Sequence, residues 1–90
     1  MTTPQEYEVV CRSLVADLGC CLTSNESAEV LHLIDHGEPP EGLRTLAWII
    51  VEEDKRVPAS AIARMRDLMT GLVDPDHLPP DLDSHGIQGR

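Results

Sequence analysis

The chain has no phenylalanine and only one tryptophan and one tyrosine. With so few rings, any core must be built from leucine, isoleucine, valine, methionine and alanine. Cations are also scarce: seven lysines and arginines stand against sixteen aspartates and glutamates, a formal net charge of −9. That balance argues against a basic nucleic-acid-binding face and against adhesion to anionic lipid. Three cysteines make an odd count, which does not suit a disulfide framework, so reduced thiols are expected. Nowhere is there the run of ~20 apolar residues that a membrane span needs. The opening MTTPQEYEVV has neither a basic nor a long apolar segment, so no secretory leader is expected. Together these absences predict a cytoplasmic protein that binds neither membrane nor nucleic acid directly.

Ninety residues, 41% of them apolar, suit a single domain with a thin core. Two capping boxes are visible. Thr3-Pro4-Gln5-Glu6 opens a helix over residues 3–18, with proline at its first position. Tyr7, Val10, Cys11, Leu14 and Leu18 form its apolar face. Glu8 and Arg12, four apart, are in the favourable order for an ion pair. Thr23-Ser24-Asn25-Glu26 opens a second helix that runs to about His36, with Val30, Leu31 and Ile34 inward and Gly37 as its stop.

Pro39 and Pro40 suit a helical first turn, so a third helix is expected from about Pro40 to Asp54. Leu43, Leu46, Ala47 and Ile50 give its core stripe, which leaves Trp48 on the side of Glu41 and Glu52. A fourth helix spans 58–70, with Ala61, Ile62, Met65, Leu68 and Met69 on one face. From Val73 onward the sequence is rich in proline and aspartate, with only Leu78, Leu82 and Ile87 able to dock on the body. The expected architecture is all-α: a small bundle of about four short helices, residues 1–72, followed by an extended tail, residues 73–90.

Catalytic signals are weak. His32 and His36 share a helix face at a spacing that can chelate zinc, but further ligands and a cleft are lacking. Two polar histidines near a helix C-terminus need no metal. Cys20-Cys21 is a vicinal pair without the spacing of a zinc or C-x-x-C site, and Cys11 falls on an apolar face. There is no G-x-S-x-G elbow and no phosphate-binding loop. A non-enzyme with no cofactor and no metal is expected.

The acids cluster. Glu26, Glu29, Asp35, Glu38 and Glu41 cover the second helix and the turn after it, and Glu52, Glu53 and Asp54 end the third helix, where negative charge opposes the dipole. Such a surface is either a solvated face or a site for a basic partner. Trp48 among these acids is a residue type that anchors interfaces, unless it packs beneath the tail. On this surface logic the partner-binding candidates are Glu29, His32, Glu38, Glu41, Trp48, Glu52, Glu53 and Asp54.

The span from about Glu26 to Gly71 resembles the MafI-type immunity proteins of bacterial polymorphic toxin systems. The residues that carry the resemblance are Leu33-Ile34-Asp35-His36-Gly37-Glu38, then Gly42-Leu43 and Leu46, the acids Glu52-Glu53, and Ile62, Leu68, Met69 and Gly71. Pro39-Pro40, the longer cysteine-containing first segment and the tail depart from the pattern. The resemblance implies a small helical antitoxin that binds a cognate toxin domain, often a nuclease, whose basic surface would complement the acids. The alternative is a helical adaptor that dimerises, through the apolar sides of the third helix, or binds another protein.

Overall fold

The computed structural model describes residues 3–87. Four α-helices carry the fold: α1 (Pro4–Asp17), α2 (Ser24–Asp35), α3 (Pro39–Glu52) and α4 (Ala59–Met69). The all-α expectation holds. Both capping boxes form. Thr3 and Thr23 each accept a backbone N–H through the side chain, and Glu6 and Glu26 reach back to the cap backbone. α3 needs no such cap, because Pro39 and Pro40 have no N–H to satisfy.

The core is aliphatic. Cys11, Leu14, Val15 and Leu18 of the α1 region meet Val30 and Ile34 of α2, Leu43, Leu46, Ala47 and Ile50 of α3, and Ala61, Ile62, Met65 and Met69 of α4. One reading of α1 is corrected. Val10 is 38% exposed and Val15 is buried, so the buried stripe runs Tyr7, Cys11, Leu14, Val15, Leu18. A stripe at steps of four and three turns away from Val10 and brings Val15 inward. Tyr7, at its edge, donates its hydroxyl to Leu68 O (2.7 Å) and ties α1 to α4.

α2 and α3 cross tightly at Gly42. A β-carbon there would lie 2.9 Å from Ile34 Cγ1 and 3.1 Å from Val30 O. Glycine is therefore required by close packing rather than by backbone angle.

The tail does not trail away. It contains two 3₁₀ turns, Pro75–His77 and Leu82–His85, and its Leu78, Pro79, Leu82 and His85 are buried. Ile87, by contrast, is 49% exposed. A two-residue strand β1 (Val57–Pro58) pairs in parallel with β2 (Gly86–Ile87). Gly86 permits this, since a β-carbon there would meet Ala59 at 3.1–3.3 Å and Ile62 Cδ1 at 3.2 Å. The radius of gyration is 12.0 Å, against about 12 Å expected for a fully compact chain of this length.

Candidate functional site

The outer face of α3 carries Glu41, Arg44, Thr45, Trp48, Ile49, Glu52 and Glu53 at steps of three and four, a single stripe along the helix. Glu26 and Glu29 of α2 stand beside that stripe. Between them is an open groove of about 340 Å³ lined by Glu26, Glu29, Arg44, Thr45, Trp48, Ile49, Glu52 and Glu53. The fold thus brings together Glu29, Trp48, Glu52 and Glu53, four of the candidate residues. Glu41 adjoins them through Arg44, which it holds with two hydrogen bonds (3.2 and 2.7 Å). That pairing lowers the Glu41 carboxyl below its ordinary range and raises the Arg44 guanidinium.

The other candidates lie off the groove lining. His32 is exposed, with its ring 4.0 Å from that of His36. His36 in turn donates Nδ1–H to His32 O (2.8 Å). Glu38 is the exposed N-cap of α3 and makes no side-chain cap bond. Asp54 lies past the end of α3 at φ +52°. Its carboxylate is 3.7 Å from both Arg56 Nη2 and His85 Nδ1.

Trp48 meets the tail and also faces the groove. It is half-buried, and its indole N–H donates to His77 O in the tail (2.8 Å), while the ring lines the groove. The tail sets the position of this wall. The apolar sides of α3 are used internally, since Ile49 and Val51 pack against the core.

Charge is unevenly spent around the groove. Glu26 is clasped by Lys55 Nζ at 2.8 Å, with the two side chains 17% and 15% exposed. Its carboxyl is lowered, first by the Lys55 hydrogen bond and then by the backbone of Thr23. Glu29, Glu52 and Glu53 have no cationic partner among the described residues. The groove therefore presents three uncompensated carboxylates around an indole face.

Glu26, Arg44, Thr45 and Ile49 were not among the sequence candidates. Glu26 was visible as a capping residue and as one of the acids on the second helix, but its meeting with Lys55 is long-range and was not. Arg44, Thr45 and Ile49 follow from Trp48 by helical spacing, a signal that was available. Among the described residues no group of three or more His, Cys, Asp or Glu is placed to hold a metal. No described helix is long and apolar enough to cross a membrane. Comparison with known proteins returned no match: no family model fits the chain, and no curated protein or solved structure is significantly similar to it.

Proposed function

We propose that the chain is an immunity protein that binds a cognate toxin domain and blocks it without catalysis, as the resemblance of residues 26–71 implies. The observation that carries the reading is the groove, where Glu29, Glu52 and Glu53 stand unpaired around the half-buried Trp48. A toxin that acts on nucleic acid needs a basic cleft, and an acidic surface of this kind steers and docks against one. The aromatic wall supplies the apolar contact that charge alone lacks.

Lys55 N–H bonds to Ile50 O (2.8 Å) and Asp54 N–H to Val51 O (3.1 Å), which closes a helix C-terminus where glycine is usual. An aspartate in the left-handed conformation, beside two glutamates at the negative end of a helix dipole, is kept at a cost in stability.

The test is co-expression with the domain encoded by the adjoining upstream reading frame. The two chains should co-elute in size exclusion at micromolar concentration, and the toxin's activity should be lost in the complex. Separate elution would end the proposal. Reversing both Glu52 and Glu53 to lysine should slow association by about tenfold or more and flatten its salt dependence. Circular dichroism should be unchanged. An unchanged rate and salt slope would move the interface off this groove.

A further inference from the structure

The turn between α1 and α2 places two thiols side by side at the edge of the polar network just described. Cys20 is exposed, Cys21 is partly buried, and their sulfurs lie 3.8 Å apart. Cys21 is held from three directions. Its N–H bonds to Leu18 O (2.8 Å), its carbonyl accepts Lys55 Nζ (3.0 Å), and its sulfur lies 3.8 Å from Arg56 O. Lys55 spends the same ammonium on Glu26, in the groove wall, while its own carbonyl accepts His85 Nδ1–H (2.8 Å). Lys55 thus joins the dithiol turn, the groove and the tail.

We propose that Cys20–Cys21 is a redox modification site: a small-molecule disulfide oxidant joins the two sulfurs, and ring closure loosens the clasp of Lys55 on Glu26.

The chemistry balances in two exchanges. The Cys20 thiolate attacks one sulfur of the oxidant, its S–S bond breaks, and one thiolate leaves. The Cys21 thiolate then attacks Cys20 Sγ, the mixed disulfide breaks, and the second thiolate leaves. The protein loses two electrons and two protons, and the oxidant becomes two thiols. Burial pushes the Cys21 thiol above its ordinary range, so the exposed Cys20 meets the oxidant first. Cys11, fully buried, is out of reach.

Ring closure must disturb the turn. Adjacent α-carbons are ~3.8 Å apart, closer than the ~4.4–6.8 Å that a disulfide prefers. The peptide between the cysteines therefore has to rotate; it carries the Cys21 N–H bonded to Leu18 O, and the accompanying change at the Cys21 α-carbon swings the Cys21 carbonyl of the next peptide away from Lys55. Moving the Cys21 carbonyl removes one of the two acceptors that hold Lys55 Nζ beside Glu26. Glu26 then loses the Lys55 hydrogen bond that lowers its carboxyl most, while the Thr23 capping bonds stay. That this changes partner capture rests on the groove being the binding surface; the thiol chemistry and the release of Glu26 do not.

The experiment uses the native protein and glutathione disulfide. After an acid quench and alkylation, the tryptic peptide 13–44 carries Cys20 and Cys21 without Cys11. It should have lost two hydrogens and should resist alkylation. In parallel, carbon-13 NMR follows the Glu26 carboxyl, whose titration midpoint should rise on oxidation and return on reduction. Cys20→Ser should neither close a ring nor shift Glu26. A stable glutathione adduct on Cys20, disulfide-linked dimers, or a closed ring with an unmoved Glu26 midpoint would each overturn the proposal.

Discussion

Asp54 shows what a single backbone angle costs here. At φ +52° it occupies the position that Gly37, at φ +82°, fills in the same closing motif after α2. Asp54→Gly should therefore raise stability by about 0.5–1 kcal/mol, read from denaturant midpoints. Glu26 gives a pH signature. Its folded carboxyl titrates below the ordinary range, so the unfolded chain takes up the proton first as pH falls. The stability it confers is present above the ordinary carboxylate range and is lost as pH falls through the depressed folded value. Glu26→Gln keeps the capping box and should flatten the acid limb of a plot of Tm against pH. Tyr7 acts at the other extreme. Burial, and to a lesser degree the neighbouring Cys11, raise its hydroxyl from 10.0 to about 12. The unfolded state loses that proton first, so stability should fall as pH rises from about 10 toward 12, and Tyr7→Phe should remove that alkaline limb.

At the scale of elements, α3 is the pivot. Leu46 is fully buried between the other helices. Leu46→Ala should cost ~2–5 kcal/mol through lost burial and the cavity left behind. Gly42→Ala tests the crossing with α2 from the opposite direction. The added methyl meets both a side chain and a backbone carbonyl, so overpacking of about 1–3 kcal/mol is expected. These elements were legible for a physical reason. Capping boxes, prolines and apolar periodicity act within a few residues, so Thr3, Thr23, Pro39 and the stripe from Leu43 to Ile50 mark the helices directly. The apolar face of α1 was read one step off, at Val10 rather than Val15, because which side is covered depends on neighbours far along the chain. The groove was half legible for the same reason. Spacing on α3 put Trp48 beside Glu52, but only the packing of α2 on α3 brings Glu26 and Glu29 to the other wall.

Over the whole molecule, the tail is the part that local signals described least. Proline and aspartate announce the absence of a regular period and say nothing of docking. Yet Leu78 and Leu82 are buried, Arg66 pairs with Asp83 at 2.9 Å, and Arg56 donates to Ser84 O at 3.1 Å. Removing residues 74–90 should therefore lower Tm substantially rather than leave it unchanged.

The bond from the Trp48 indole to His77 O has a further use. Trp48 is the chain's only tryptophan, and its hydrogen-bond partner belongs to the tail. Intrinsic fluorescence is then a built-in gauge of tail docking. Were the tail to lift before the helices melt, the emission would shift to the red while the helical dichroism signal still stood.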